Sequence, residues 1–311
     1  MSLSQRNDFF TMNPGKSPAA RRTTRPVGRV RRLLLAGVLA ATFAGGARGA
    51  EPGETMAERS LKRIVERQKE LFADAARQGD RLDDAAFRTQ VQSLTHDYEL
   101  LLRENPKFAA GYAAYGYLLG KVDMRKESAS MLLKANQLDP DIAMVKNQLG
   151  NYMAEEGKPL QAAPYFLAAI KLEPNEPLYH YQLGTLLTEA RDDFLKSGEW
   201  TRATLDAAMH NAFKRAAELA PDRFEFAYRY AESFYDLEKP DWEEALKVWA
   251  ALEEKAPTTI ERQTMRLHAA NIFIKTGRKD HAKALLATVD EPKLEGQKQR
   301  LIAQLADGAT K

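Results

Sequence analysis

Residues 143–174 read AMVKNQLGNYMAEEGKPLQAAPYFLAAIKLEP. Apolar residues recur in this segment at spacings of three and four, which predicts two amphipathic helices. Gly157 lies between the two helices, and Pro174 ends the segment because proline cannot continue a helix. The small residues Gly150 and Ala162 allow two antiparallel helices to approach closely. The segment therefore predicts a helical hairpin.

The preceding segment has the same pattern in the same register. Pro106, Pro140 and Pro174 follow one another at intervals of 34 residues. Between the first two prolines, small and large residues occupy the matching positions: Tyr115-Gly116, Leu119, Ser128, Leu132 and Ala135. A 34-residue period with these residue types resembles the tetratricopeptide repeat. The resemblance implies an all-α fold, a right-handed α-solenoid of stacked antiparallel helix pairs.

Less regular hairpins flank these two. The third runs from Pro174 to Pro221 and is 47 residues long, 13 more than the period. Two later hairpins are marked by the pairs Tyr230-Ala231 and Ala269-Ala270, and arrays of this kind need capping elements at their ends. We therefore expect four parts: a leader (1–50), an N-terminal helix pair that is a degenerate repeat or cap (51–106), an array of about five repeats (107–292), and a C-terminal capping helix and tail (293–311).

The 13 extra residues of the third repeat lie near residues 188–204. We interpret them as a lengthening of both helices, with one helix from Pro177 to Leu195 and the next from Trp200 to Leu219. Phe194 and Trp200 would then lie near a protruding tip with few partners from the other repeats. The alternative is that these two side chains pack on each other. Pro164, inside the second helix of its repeat, should kink that helix or delay its start.

The first 50 residues differ in charge from the rest of the chain. They hold nine basic residues and one acidic residue, which leaves 37 basic and 42 acidic residues in 51–311, a net charge of −5. Arginines between Arg21 and Arg32 precede an uncharged run, residues 33–46, and small residues follow it. This order is typical of a secretory signal peptide, and the run is shorter than the roughly 20 residues of a membrane span.

We expect cleavage between Ala47 and Glu51, and a periplasmic or secreted mature protein without a stable membrane span. Three alternatives remain open. The run could stay uncut and tether the protein to a membrane, Arg31-Arg32 could form a twin-arginine export signal, or the segment could be an organelle transit peptide. The compact apolar run favours a secretory signal.

The sequence lacks the motifs of a catalytic or metal centre. It has no cysteine, which excludes disulfides and thiolate metal sites. Its five histidines form no i, i+4 pair, and it contains no Gly-x-Ser-x-Gly elbow or phosphate-binding loop. The adjacent acids Asp192-Asp193 and Glu243-Glu244 would point to different sides of a helix. We predict no catalytic residue, no metal and no cofactor, and the acidic body argues against nucleic-acid binding.

The family resemblance implies that first helices line a concave surface whose free face binds a partner. Aromatic rings offer contact area at low entropic cost, and asparagine amides can bond both backbone groups of an extended peptide. Packing of the tyrosines between helices is the alternative interpretation. The candidate partner-binding residues are Tyr117, Asn147, Asn151, Tyr181, Tyr228, Glu232, Tyr235 and Asn271, and the same predicted face includes Ala113, Thr185 and Leu267.

The sequence thus favours an exported scaffold or adaptor that binds a peptide or protein partner and catalyses no reaction. One alternative is a structural or accessory subunit of an envelope assembly or secretion system. Another is an enzyme-associated domain in the insertion near Trp200. That insertion offers few titratable residues: Asp192, Asp193, Lys196, Glu199 and Arg202.

Overall fold

The computed structural model describes residues 54–307, so the predicted leader lies outside the described residues. Residues 54–307 form fourteen α-helices and no β-strand. No helix among these residues is long and apolar enough to span a membrane. The helices are α1 (Met56–Gln78), α2 (Asp84–Glu104), α3 (Ala109–Lys121), α4 (Arg125–Leu138), α5 (Ala143–Glu155), α6 (Pro159–Leu172), α7 (Pro177–Glu189), α8 (Arg191–Lys196), α9 (Arg202–Leu219), α10 (Phe224–Ser233), α11 (Trp242–Lys255), α12 (Thr259–Lys275), α13 (Lys279–Ala287) and α14 (Glu295–Asp307).

The helices pack in antiparallel pairs that follow the chain. The pairs are α1 with α2, α3 with α4, α5 with α6, α7 with α9, α10 with α11 and α12 with α13. The first helix of each pair also contacts its neighbours in the stack, as α5 does with both α3 and α4. This arrangement is the stack of helix pairs that the 34-residue period predicts.

Glycine determines how closely the two helices of a pair approach. A methyl group added at Gly150 would lie only 2.9 Å from the ring of Phe166, whose side chain is buried. The same contact occurs in the repeats on either side, at 2.8 Å, between Gly116 and Leu132 and between Gly184 and Phe213. These pairs of a small and a large residue hold the helices together by close van der Waals contact.

One of the two expected effects of Pro164 on helix α6, a delayed start, does not occur, and the other, a kink, stays a prediction. The helix begins at Pro159, a favoured first position for proline, and continues through Pro164 without a delayed start. Gly157 adopts a φ of +70° in the turn before it, a conformation that most residues avoid. Pro164 lies at an exposed position of the helix.

The insertion in the third repeat is helical, but it is not one continuous helix. Helix α7 ends at Glu189, Ala190 leaves the helical conformation (φ −102°, ψ 24°), and the short α8 follows. The expected helix from Pro177 to Leu195 is therefore broken at Ala190. After the break, α8 contacts α6 of the preceding repeat as well as α7 and α9 of its own repeat.

These contacts of α8 also correct the expectation of an exposed apolar tip. The side chain of Phe194 is only 1% exposed and belongs to the core that spans α6 to α12. Trp200 packs edge-to-face on Phe194, with 5.8 Å between ring centroids. The two side chains pack on each other, which was the alternative interpretation, and neither forms a free docking tip.

Helices close both ends of the stack. At the C-terminal end, Leu301 and Leu305 of α14 are buried, and α14 packs against α12. At the N-terminal end, the ring of Tyr98 on α2 stacks on Tyr115 of α3 at 5.3 Å, which joins the first helix pair to the following repeat. The terminal helices thus cover the apolar sides of α3 and α12.

Candidate partner-binding site

The candidate residues lie on the first helices of successive pairs, α3, α5, α7, α10 and α12, and on the short 3₁₀ turn Phe234–Asp236 that follows α10. Their exposure differs. Six of them are partly exposed: Tyr117, Asn151, Tyr181, Tyr228, Glu232 and Tyr235. The other two, Asn147 and Asn271, are buried.

The burial of Asn147 corrects the expectation of an exposed face. Its side chain is 1% exposed, and its Oδ1 atom has no hydrogen-bond partner. Ala113 and Leu267, expected on the same face, are fully buried. The reason is the contact between neighbouring first helices, since Ala113 lies in one apolar cluster with Met144 and Val145 of the next repeat. Only the partly exposed positions can touch a partner in this conformation.

Tyr117 and Asn151 form the accessible part of the face in the first two repeats. The ammonium of Lys121 lies 5.3 Å from the centroid of the Tyr117 ring. Burial raises the pKa of Tyr117 to about 12 and lowers the pKa of Lys121. The Tyr117 hydroxyl is therefore a neutral hydrogen-bond donor at physiological pH, one helix turn from a cation.

Tyr181 connects the third repeat to the fourth. Its hydroxyl donates to Glu225 Oε1 at 3.3 Å, and its ring packs on Phe226 with 4.8 Å between centroids. Burial, reinforced by the charge of Glu225, raises its pKa to about 12. The ring is held in place from one side and remains partly exposed on the other.

Tyr228 and Tyr235 surround a buried histidine between the fourth and fifth repeats. His268 stacks face-to-face on Trp249, with ring centroids 3.9 Å apart, and burial lowers its pKa to about 3. The Tyr228 hydroxyl lies 3.2 Å from His268 Nε2, and the Tyr235 hydroxyl donates to the His268 backbone oxygen. Asn271 hydrogen-bonds the Tyr235 hydroxyl. These polar groups join two repeats, which matches the packing interpretation of the tyrosines.

A cluster of charged side chains lies beside these tyrosines and fixes the insertion to the fourth repeat. Asp206 on α9 is buried and accepts from Arg202 Nε at 2.7 Å, while Arg191 Nη1 lies 3.3 Å from its other oxygen. Arg202 and Arg191 also donate to the backbone oxygen of Asp236, at 2.7 and 3.3 Å. Charge-assisted bonds to buried acceptors are among the stronger polar contacts in proteins.

Arg229 and Glu232 of α10 extend this cluster toward the candidate face. Arg229 Nη1 lies 3.3 Å from Glu232 Oε2, and its guanidinium stacks on the ring of Phe213 at 4.7 Å. Burial raises the pKa of Glu232 to about 6, although the neighbouring Arg229 opposes the shift. Glu232 is thus a candidate residue whose ionised carboxylate destabilises the folded state at neutral pH.

Sequence reasoning missed most of this cluster. Its members lie on four different elements. Only Arg202, as a titratable residue of the insertion, and Glu232, as a candidate binding residue, were identified from the sequence. The available signal was Asp206, an acidic residue next to Leu205 on the otherwise apolar face of α9. The neighbouring acids Asp192 and Asp193 are exposed, as interpreted from the sequence.

The arrangement offers binding contacts and no recognisable reaction centre in the described part of the chain. Every carboxylate of the cluster has an arginine partner. Among residues 54–307, no group of three His, Asp or Glu side chains could hold a metal ion.

Comparison with known proteins identifies the fold. No protein-family model and no curated protein matches the sequence. YrrB, described as a TPR protein with an unusual peptide-binding site, is 19% identical over 68% of this chain and 97% of its own, with a TM-score of 0.52. Pseudomonas aeruginosa PilF is 14% identical over 80% of this chain and 100% of its own, with a TM-score of 0.55.

PilW, described as a type IV pilus biogenesis factor, is 12% identical over 79% of this chain and 98% of its own, with a TM-score of 0.50. The described residues therefore adopt the tetratricopeptide-repeat fold. The predicted class, an all-α, right-handed solenoid of stacked helix pairs, is confirmed.

Proposed function

We propose that this chain is an exported interaction scaffold that holds an extended segment of a protein partner on its first helices. The observation that carries the proposal is the series of partly exposed tyrosine, asparagine and glutamate side chains on first helices of successive repeats. Such side chains offer contact area, backbone-directed hydrogen bonds and one charge along a single face. A repeat array without a reaction centre in its described part fits a binding role better than a catalytic one.

The accessible residues divide the face into two chemical regions. Tyr117 and Asn151 in the first two repeats present a donor, an amide and the nearby cation of Lys121. Tyr181 and Glu232 in the third and fourth repeats present a ring and a carboxylate. Asn147 and Asn271 support this face from beneath, and Tyr228 and Tyr235 add ring edges beside His268.

Affinity capture with matched variants tests the scaffold. The mature chain, an Asn151→Ala/Tyr117→Leu variant and an Asn211→Ala control are used to capture proteins from envelope extracts, followed by mass spectrometry. Asn211 is an exposed asparagine on a second helix, α9. We expect a partner that wild type and control retain and the double variant loses. A set of captured proteins unaffected by the double variant would contradict binding on this face.

The exported setting rests on the sequence of residues 1–50 and has its own test. N-terminal sequencing of the protein from its native cells should find a chain that starts between Arg48 and Glu51. A membrane-bound form that retains residues 33–46 would support the tethered alternative. A soluble cytoplasmic form that retains Arg21 to Arg32 would refute export.

A second candidate is a structural or accessory subunit of an envelope assembly. The likeness to PilW, itself described as a pilus biogenesis factor, motivates this candidate, although the likeness shows the fold alone. Native mass spectrometry separates the two functions. A scaffold for a peptide segment should lose its partner in the double variant, whereas a structural subunit should remain in a large complex regardless of Asn151 and Tyr117.

A further inference from the structure

A fully buried histidine lies in the contact between the fourth and fifth repeats. His268 of α12 is 0% exposed, and its ring is stacked on Trp249 of α11 with only 5° between the ring planes. Tyr228 of α10 meets the ring edge-to-face with 5.8 Å between centroids, and Tyr235 lies at the same centroid distance. Aromatic side chains from three elements of the fourth repeat therefore enclose one imidazole that belongs to the fifth repeat.

The hydrogen bonds around His268 fit a neutral imidazole. The Tyr235 hydroxyl donates its proton to the His268 backbone oxygen at 3.2 Å, so toward His268 Nδ1, at 3.4 Å, it can only accept. Nδ1 then carries the ring proton, and Nε2 accepts from the Tyr228 hydroxyl at 3.2 Å. A second proton, at Nε2, would force the Tyr228 hydroxyl to turn its own proton elsewhere and would break this bond.

Three carboxylates lie near this contact on the side of the fourth repeat. The charge of Glu232 acts on the hydroxyls of both tyrosines, and Asp236 directly follows the second of them. Glu253 of α11 pairs with Arg266 of α12 at 2.6 Å. Each of the three carboxylates already has an arginine partner.

The fifth repeat and α14 carry further titratable groups. His281 and Asp290 contact α12 five residues to either side of His268. The ammonium of Lys275 lies over a tryptophan ring, and that of Lys298 donates to a backbone oxygen. Among all these influences, burial is the one that lowers the pKa of His268, to about 3.

The same burial makes the contact sensitive to acid. The ordinary pKa of histidine is 6.5, so a solvated ring in an open contact binds the proton more tightly than the buried ring of the closed contact. The closed contact has its full stability above about pH 6.5 and loses it progressively as the pH falls toward 3. Glu232, whose pKa is about 6, becomes neutral over this range and so does not retain a charge that would offset an imidazolium.

We propose that the contact between the fourth and fifth repeats is an acid-sensitive hinge, which opens when His268 takes up a proton. The fourth repeat ends with α11 at Lys255 and the fifth begins with α12 at Thr259, so residues 256–258 are the connection about which the repeats separate. Helices α12, α13 and α14 pack on one another and would move together.

Opening would expose apolar surface and alter one end of the proposed binding face. Met265 and Ile272 of α12 belong to the same core as the side chains of the fourth repeat and would leave it together with the imidazole. The hydroxyls of Tyr228 and Tyr235 would lose their buried partner. The effect on binding rests on the proposed function, whereas the opening itself does not.

Hydrogen exchange of the purified protein, measured by mass spectrometry at pH 7 and at pH 5, tests the hinge without any partner. Wild type is compared with His268→Gln, which keeps a polar side chain at the site but takes up no proton. For α12, α13 and α14, the ratio of the opening constant of wild type to that of the variant should rise roughly twentyfold from pH 7 to pH 5. The ratio cancels titrations that both proteins share, such as that of Glu232. His281→Gln, which removes an exposed histidine from the same repeat, is the matched control.

A second variant and a second measurement keep the proposal testable if His268→Gln does not fold. His268→Phe retains a ring that can stack on Trp249 and replaces the glutamine variant in the same comparison. Nuclear magnetic resonance of the wild-type ring nitrogens should show a neutral imidazole with its proton on Nδ1 at pH 5.

Three results would overturn the proposal. One is a ratio of opening constants that is the same at both pH values, and another is an imidazole of His268 that is already protonated in the folded protein at pH 5. The third is an acid-induced opening that affects α5 and α6 as much as α12 to α14, because acid would then act on the whole array. Since no partner is present, none of these results bears on the proposed binding face, which has its own test.

Discussion

Single residues control how closely the helices of a pair approach. Gly150 faces the ring of Phe166 so closely that even one added carbon would have to displace it. The sequence reveals this contact because the pairing of a small with a large residue recurs at the same distance in consecutive repeats. Interiors are packed densely, so a side chain added at such a contact has no free volume to occupy.

Gly150→Leu should destabilise the protein strongly. The added side chain must push α5 and α6 apart, which costs about 1–3 kcal/mol or more in overpacked cores. Chemical denaturation measures the free energy of unfolding. Gly296→Leu is the control, because a side chain there meets no atom within 4 Å and glycine is a poor helix former. If both variants had the same stability, the proposed helix contact would be wrong.

Glu232 gives a residue-level prediction that depends on pH. Its folded-state pKa is about 6 against an ordinary value of 4.5, so the folded state holds the proton more tightly than the unfolded state. The folded state is therefore favoured below about pH 4.5, and this advantage is lost as the pH rises through 6. Glu232→Gln should match wild type in stability at pH 4.5 and exceed it by up to about 2 kcal/mol at pH 7.

Unfolding free energies at a series of pH values check this expectation. Glu254→Gln, which removes an exposed carboxylate from α11, is the matched control. A pH-independent difference for Glu232→Gln would show that burial of the Glu232 carboxylate carries no penalty. The neutral variant should also bind the partner less well if the carboxylate is part of the binding face.

At the scale of elements, the insertion in the third repeat is where sequence reasoning succeeded in part and then failed. Helix signals predicted that the extra residues are helical, and α8 and α9 agree. The sequence did not predict the break at Ala190 or the burial of Phe194, because both depend on contacts with other repeats. Arg191 and Asp206 are 15 positions apart in the chain, and no local sequence pattern predicts their ion pair.

Asp206 is the residue on which the attachment of the insertion most depends. Asp206→Ala would leave the arginines at 191 and 202 without their shared carboxylate, and removal of one partner from a buried ion pair costs about 3–5 kcal/mol. We expect a loss near the lower limit, since Arg202 is partly solvated. Limited proteolysis should also show faster cleavage between residues 190 and 201.

The neighbouring residue Asp192 supplies the control. It is exposed and lies on the same insertion, so Asp192→Ala should change the free energy of unfolding by less than about 0.5 kcal/mol. Equal stability and equal protease resistance in the two variants would show that the charged cluster does not hold the insertion in place.

The candidate site was less predictable than the fold for a related reason. Periodicity identifies which residues share one side of a helix, but not how far the next repeat covers that side. Asn147 and Asn151 are one turn apart on α5, yet one is buried beneath the neighbouring helix and the other is accessible. Likewise, the sequence places Tyr228 on the predicted surface face. In the fold, His268, which is 40 residues later in the chain, lies beside it.

At the scale of the whole molecule, stability is shared between neighbours along the stack. In such arrays each repeat is stabilised by its own contacts and by its interfaces, so an opening begins at an end. The C-terminal end is closed by α14 through residues such as Leu301, which is 2% exposed. A substitution that weakens the packing of this end should therefore destabilise the nearest repeats first.

Leu301→Ala should therefore destabilise the stack locally. The cavity costs about 2–5 kcal/mol for a buried leucine, and α12 and α13 should lose protection from hydrogen exchange before α5 and α6 do. The neighbouring Ile302→Ala, at a position 38% exposed, should leave exchange almost unchanged. Uniform loss of protection along the array would instead show that residues 54–307 unfold as one cooperative unit.

The chain contains three tryptophans, and all of them lie between residues 200 and 249. Tryptophan fluorescence will therefore report on the unfolding of the third and fourth repeats and not on the unfolding of the other repeats. Circular dichroism reports on every helix. The melting temperatures obtained from the two signals need not coincide. The difference between them would measure optically how far the repeats unfold separately.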